Sequence, residues 1–120
     1  MNALLSVDDL IGVIKQYNPS TNASLIERAY DFGLAAHAGQ MRKSGELFFS
    51  HPVQVAKILT ELKLDDASII TALLHDTIED TNRSFRDVSE LFGGEIANLV
   101  DGVTKLSNLE VASLERKQAE

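Results

Sequence analysis

Apolar residues recur at helical intervals along almost the whole chain, and this period constrains the fold more than any other feature. In the first such segment they lie three or four positions apart, at Leu10, Ile11, Val13 and Ile14. No segment of useful length alternates apolar and polar residues, which is the pattern of a half-buried strand. The sequence therefore predicts an all-α fold with about seven helices.

Residues that cap or stop helices divide this pattern into separate elements. They predict helices from about 7 to 17 after Ser6 and Asp9, from Thr21 or Asn22 to Gly39, from His51-Pro52, from Asp65 or Asp66 through position 81, from Ser84 and Asp87 to Gly93-Gly94, from Glu95 to Leu106, and from about 109 onward. The segment 39–50 has two glycines and no helical period, so we expect a loop or a short hairpin there.

Composition narrows the function classes. The 120 residues, 44% of them apolar, suit a single domain over 1–120 with a real core. A net charge of −7 argues against binding a nucleic-acid polymer, which needs a positive stripe. No apolar run approaches a membrane span and the N-terminus lacks a basic signal region, so we expect a soluble cytoplasmic protein without membrane contacts. The chain has no cysteine, so any metal must be held by His and carboxylates.

The segment TALLHDTIEDT, positions 71–81, concentrates ionisable residues directly after a buried apolar face. On one continuous helix, His75 would stack on Glu79 and Asp76 on Asp80, because residues four apart share a face. The adjacent His and Asp offer one nitrogen and one oxygen, a mix that suits manganese or zinc. The alternative interpretation is a polar helix end, with Asp80 turned towards solvent.

Two further histidines have both ordinary and functional interpretations. His51 begins a helix after an irregular loop, where a histidine can be a metal ligand or simply a packing or capping residue. His37, in the segment AAHAGQ, is interpreted as a structural histidine near the site rather than as a ligand.

His51 followed by HD at 75 and 76 resembles the first part of the H…HD…D pattern of the HD superfamily of metal-dependent phosphohydrolases. The segments AAHAGQMRKSGELFFSHPVQVAKIL, TALLHDTIEDT and LFGGEIANLVDGVTKL are similar to the hydrolase domain of the RelA/SpoT family. Members of that family make and degrade the guanosine alarmones ppGpp and pppGpp. The similarity extends over about 25–108 and involves three motifs in the same order.

The resemblance implies that His51, His75 and Asp76 ligate a Mn²⁺ ion. It also implies that Glu79 and Asp80 correspond to a carboxylate pair associated with activating the attacking water. Elementary chemistry agrees, because a metal lowers the pKa of water and polarises a phosphoryl oxygen while a nearby carboxylate accepts the proton.

The loop residues Arg42, Lys43 and Ser44 match the RKSG loop of the family, which implies contacts with the guanine base and the phosphates. An acidic protein needs a local cation to receive a highly charged nucleotide, and an arginine can stack on a base. Taken without the resemblance, these residues are better interpreted as an ordinary solvated basic turn. Lys105, in VDGVTKL, can approach the same ligand or lie on an amphipathic helix without contacting it.

The resemblance implies hydrolysis of ppGpp to GDP and pyrophosphate, without synthetase activity. It also implies a fourth metal ligand, an aspartate on a later helix, which has no equivalent in residues 1–120. We therefore expect these residues alone to retain little Mn²⁺ and to hydrolyse ppGpp barely, and an extension through two further helices to restore both. The alternative is an inactive remnant that acts as a binding or self-assembly module. A nucleotidase for other substrates is disfavoured, because such an enzyme has no reason to share the RKSG loop.

The sequence also predicts self-association. Apolar residues at Ile96, Leu99 and Val103 are expected to be partly uncovered, and large exposed apolar patches favour association. We expect a homodimer.

Overall fold

A computed structural model of the chain describes residues 5–41, 45, 47–77 and 84–105. The described residues form six helices and no β-strand, which confirms the all-α prediction. The helices are α1 (Val7–Tyr17), α2 (Ala23–Ala36), α3 (Ser50–Glu61), α4 (Asp66–Leu74), α5 (Phe85–Phe92) and α6 (94–105). The helix predicted from about 109 lies outside the described residues.

Four of the helices begin at the predicted capping residues. In each, a side-chain oxygen accepts a hydrogen bond from a backbone N–H three residues later, which satisfies a donor that the helix itself leaves unpaired. These caps are Ser6 for Asp9 (3.1 Å), Asn22 for Leu25 (3.1 Å), Asp65 for Ser68 (3.0 Å) and Ser84 for Asp87 (3.2 Å). At Ser84 the carboxylate of Asp87 also accepts from the Ser84 N–H at 2.9 Å, which completes a capping box.

The central helix is α4, which packs against both α2 and α3. Its residues 69–74 are all buried, as expected for a helix that is apolar all round. The prediction that one helix runs from Asp65 or Asp66 through position 81 is wrong, because α4 ends at Leu74 and His75 and Asp76 form a turn. The imidazole of His75 donates a hydrogen bond from Nδ1 to the Ala72 carbonyl. In a continuing α-helix this carbonyl would accept from the Asp76 N–H instead.

The second helix is also shorter than predicted. It ends at Ala36, and residues 37–39 form a turn in which Gly39 adopts a positive φ of 79°. A glycine favours this conformation because it has no Cβ. After this turn, an isolated antiparallel bridge joins Met41 and Leu47, and the Phe48 N–H donates a 2.8 Å hydrogen bond to the Gln40 carbonyl.

Helix α2 lies close to Phe49 and to α4 at Gly33. A Cβ on this residue would overlap the ring of Phe49 and lie 3.1 Å from the carbonyl oxygen of Leu73. Phe49 is only 1% exposed and packs edge-on against Tyr30, with ring centroids 5.3 Å apart. Gly33 therefore allows close contact between α2 and the two segments that precede His51 and His75.

The predicted apolar surface of α6 is only partly present. Ile96 is buried, contrary to expectation, because it packs in the core with Ala97 and Val100. Leu99 is 43% exposed, and Val103 lines an open cleft together with it. Among the described helices none is both long and apolar enough to cross a membrane.

Candidate metal centre

His51 lies in the first turn of α3, immediately before Pro52. The start of this helix has no side-chain cap, and its N-cap residue is the buried Phe49. Packing of this ring against Tyr30, together with local backbone hydrogen bonds and without a side-chain cap, holds the start of α3. The first turn is consequently anchored in the core, and His51 follows at a partly exposed position.

His75 and Asp76 occupy the turn that follows the buried helix α4. Nδ1 of His75 lies 2.7 Å from the carbonyl oxygen of Ala72. Since a carbonyl only accepts, Nδ1 must carry the proton, and Nε2 is left to face Asp76. A backbone carbonyl that fixes the tautomer in this way is the usual outer partner of a metal-ligating histidine.

Nε2 of His75 and Oδ2 of Asp76 are 3.1 Å apart, and both side chains are largely shielded, with 14% and 22% exposure. With Nδ1 protonated, a neutral His75 would turn its Nε2 lone pair towards a carboxylate oxygen. Such an arrangement calls for a proton or a cation between the two atoms. Metal–ligand bonds of about 2.1 Å at angles near 90–110° separate two ligand atoms by roughly 3.0–3.4 Å, so the observed spacing fits one shared ion.

The electrostatics of Asp76 favour its ionised form. Burial raises the pKa of this carboxyl, whereas His75, when its ring is doubly protonated, lowers it through a hydrogen bond from Nε2 and through its charge. Smaller contributions from His51 and His37 act in the same direction, and the net pKa lies below the ordinary aspartate value. The group is therefore a carboxylate at neutral pH, as a metal ligand must be.

The structure brings His51 together with this pair. The ring centroids of His51 and His75 lie 5.8 Å apart at an interplanar angle of 64°. One potential ligand atom from each of His51, His75 and Asp76 lies within 4.8 Å of the others. Two imidazoles and one carboxylate form a donor set that suits a borderline divalent ion, so these three predicted ligands form a plausible metal site.

His37 is buried beside the site but is not part of this group. It is 2% exposed, its ring stacks on Phe48 with centroids 4.8 Å apart, and its Nδ1 lies 3.1 Å from Oε1 of Gln40. Its Nε2 has no hydrogen-bond partner among the described residues. This packing agrees with the interpretation of His37 as a structural histidine near the site.

The structure does not test the other predicted site residues. Lys105 lies on α6, 74% exposed, and its Nζ forms a 2.9 Å ion pair with Asp101, so its approach to a ligand stays a prediction. Arg42, Lys43 and Ser44, and also Glu79 and Asp80, lie outside the described residues.

The sequence analysis did not identify Thr104, whose side chain contacts the backbone of His75. Its hydroxyl lies 3.2 Å from the carbonyl oxygen of His75 and 3.0 Å from that of Val100. The contact with His75 joins α6 to the HD turn across 29 positions. No local pattern signals this hydrogen bond, because it depends on how α6 packs.

An open cleft of about 540 Å³ lies beside His75, between α3, α4 and α6. Its lining is mainly apolar, with Ser68, Thr71 and His75 as polar members. The candidate metal site is therefore next to an accessible concave surface.

Comparison with known proteins agrees with the pattern of ligands. A family model described as an HD domain matches residues 29–120. The chain is 54% identical over 110 residues to a GTP pyrophosphokinase of Myxococcus xanthus, covering 89% of this chain and 14% of that protein. It is 46% identical over 112 residues to the GTP pyrophosphokinase rsh of Brucella ovis, covering 93% of this chain and 15% of that protein. It is 43% identical over 113 residues to the bifunctional (p)ppGpp synthase/hydrolase SpoT of Escherichia coli, covering 94% of this chain and 16% of that protein. The chain thus spans about one seventh of the length of these relatives, and it belongs to the HD-domain family, within the RelA/SpoT group.

Proposed function

We propose that this chain forms the metal-binding part of a hydrolase that cleaves ppGpp to GDP and pyrophosphate. The observation that carries the proposal is the convergence of His51, His75 and Asp76, with one ligand atom of each within 4.8 Å of the others. Membership of the HD-domain family supports it. The Escherichia coli relative, named a (p)ppGpp synthase/hydrolase, suggests the substrate.

In this proposal His51, His75 and Asp76 hold a divalent ion, expected to be Mn²⁺. When bound, the ion would polarise a phosphoryl oxygen and acidify water at neutral pH. The chain itself orients the site: the Ala72 carbonyl fixes the His75 tautomer, and the buried helix α4 holds the turn in place. Glu79 and Asp80 are proposed to accept the proton of the attacking water.

Substrate recognition is assigned to the basic loop. The chain carries a net charge of −7, so a nucleotide with two diphosphate groups needs local cations to approach. Arg42 is proposed to stack on the guanine base, with Lys43, Ser44 and Lys105 near the phosphates. The loop leads directly into Phe48, Phe49 and the start of α3, and it therefore adjoins His51 in the chain.

The test compares residues 1–120 with a chimera in which the same residues are continued by the sequence that follows the matched region in the Myxococcus xanthus relative. Metal content by elemental analysis and release of GDP from ppGpp are measured for both chains with added Mn²⁺. We expect the chimera to hold one equivalent of metal and to release GDP. The shorter chain should do far less of both, because it lacks the fourth ligand that the family resemblance implies.

Matched controls separate the parts of the proposal. Asp76→Asn in the chimera should abolish both metal retention and GDP release, because a carboxamide carries no charge for the ion. Failure of both chains to bind metal would refute the assignment of His51, His75 and Asp76. A chimera that retains metal but hydrolyses deoxynucleoside triphosphates instead of ppGpp would refute the substrate assignment alone.

A further inference from the structure

The hydroxyl of Thr104 contacts the peptide group that joins two predicted metal ligands. The carbonyl of His75 belongs to the planar peptide unit between His75 and Asp76, and Oγ1 of Thr104 lies 3.2 Å from its oxygen. Because this unit is nearly rigid, its orientation sets the directions from which both side chains project. A hydrogen bond to this carbonyl therefore acts on both ligands at once.

The contact lies where α4 no longer supplies backbone partners. The last carbonyls of a helix have no intrahelical donors and are satisfied by side chains, turns or water. Here the Ala72 carbonyl accepts from the His75 ring and the His75 carbonyl accepts from Thr104. The two hydrogen bonds fix the ring and the peptide of the same residue from different directions.

The position of Thr104 is itself well defined. Ala97 and Val100 on the same side of α6 are fully buried, and Thr104 follows them one helical turn later. Its hydroxyl also lies 3.0 Å from the Val100 carbonyl, so its single proton is shared between an acceptor in its own helix and the one in the HD turn. Through the Thr104 side chain, the packing of α6 against the core therefore acts on the position of His75 and Asp76.

We infer that Thr104 is a positioning residue for the metal ligands His75 and Asp76. This inference rests on the proposed metal site, and it assigns to α6 a role in holding the geometry of that site. Loss of an outer-sphere partner of a metal ligand weakens metal binding by about 10–100-fold. We expect an effect of this order when the hydroxyl of Thr104 is removed.

The experiment titrates the chimera described under the proposed function with Co²⁺, whose visible absorption reports the number and arrangement of its ligands. Thr104→Val, which retains the branched shape without the hydroxyl, should bind Co²⁺ about 10–100-fold more weakly and with an altered spectrum. Thr104→Ser should restore both properties. Thr60→Val is the matched control, because Thr60 is a buried threonine whose hydroxyl donates to the Lys57 carbonyl within its own helix and does not contact the HD turn.

Each result decides the inference. Wild-type affinity and spectrum in Thr104→Val would refute the role of Thr104 and leave the proposed metal site intact. Equal weakening in Thr104→Val and Thr60→Val would also refute it, since the effect would then be general destabilisation. Absence of Co²⁺ binding in the unsubstituted chimera would overturn the metal site and this inference together. If Thr104→Val does not fold, Thr104→Ala replaces it, and unfolding of both variants would make Thr104 a stability residue and refute the positioning role.

Discussion

Gly33→Ala should destabilise the protein and disturb the metal site together, because this glycine touches both segments that carry the ligands. Phe49 precedes His51 by two residues, and Leu73 precedes His75 by two. A new Cβ would overlap the Phe49 ring and approach the Leu73 carbonyl oxygen to 3.1 Å. The ring is 1% exposed and packed against Tyr30, so it has little room to move.

The magnitude follows from two opposing effects. Replacing a helical glycine by alanine stabilises by about 0.5–1 kcal/mol, whereas overpacking a tight core costs about 1–3 kcal/mol. Since the Phe49 ring is fixed by its neighbours, we expect the upper part of that cost and a net loss of about 1–2 kcal/mol. For a domain of this size, each kcal/mol lowers the Tm by roughly 3–6 °C.

Thermal denaturation followed by circular dichroism, combined with a Co²⁺ titration of the chimera that carries the same substitution, measures both consequences. Gly12→Ala is the matched control, since Gly12 is an exposed residue within α1 and a Cβ there meets nothing within 4 Å. That variant should be as stable as the wild type or more so, with unchanged Co²⁺ affinity. A Gly33→Ala protein that melts at or above the wild-type temperature would show that the α2 contact is not tight, and the argument would fail.

Four further predictions concern single positions and assembly. Asp65→Ala should cost about 0.5–2 kcal/mol at neutral pH through loss of the α4 cap. Hydrogen bonds from Ser68 hold the pKa of Asp65 below its ordinary value, so this difference should be complete above about pH 4 and shrink as the pH falls through the folded-state pKa, as measured by urea denaturation at several pH values. Arg42→Ala should weaken ppGpp binding by about 0.5–2 kcal/mol without changing helical content, and an unaltered dissociation constant by calorimetry would contradict the stacking role. Glu79→Ala or Asp80→Ala should abolish GDP release by the chimera while sparing its metal content, whereas full activity would exclude them as proton acceptors. The chain should form a homodimer, and a monomer by light scattering at tens of micromolar would refute this expectation.

Local signals in the sequence were sufficient to predict where most helices begin. Ser6, Asn22, Asp65 and Ser84 each cap a helix through a backbone N–H three residues away, so the interaction can be read directly from the order of residues. The proposed ligand set could also be found in the sequence, but only through the family pattern, because nothing local brings His51 close to His75.

Tertiary structure decided the features that depend on contacts between distant residues. The N-cap residue of α3 is the apolar Phe49, which cannot supply a side-chain cap and is held by packing against Tyr30. Ile96 is buried because α6 packs that face into the core, although its own sequence leaves either face available.

The candidate metal centre also shows this difference between local sequence signals and tertiary contacts. Helical periodicity continued through TALLHDTIEDT, and it predicted an unbroken helix with His75 stacked on Glu79. The folded chain ends α4 at Leu74, where the Ala72 and His75 carbonyls accept hydrogen bonds from the side chains of His75 and Thr104. The sequence by itself determined where most helices begin, since capping depends on neighbours three residues apart, and it indicated the proposed ligands only through the family pattern. Only the packing of α3 against α4 determined that two imidazoles and a carboxylate converge, because that arrangement needs His51 in α3 and the turn after α4 to be held at the same point.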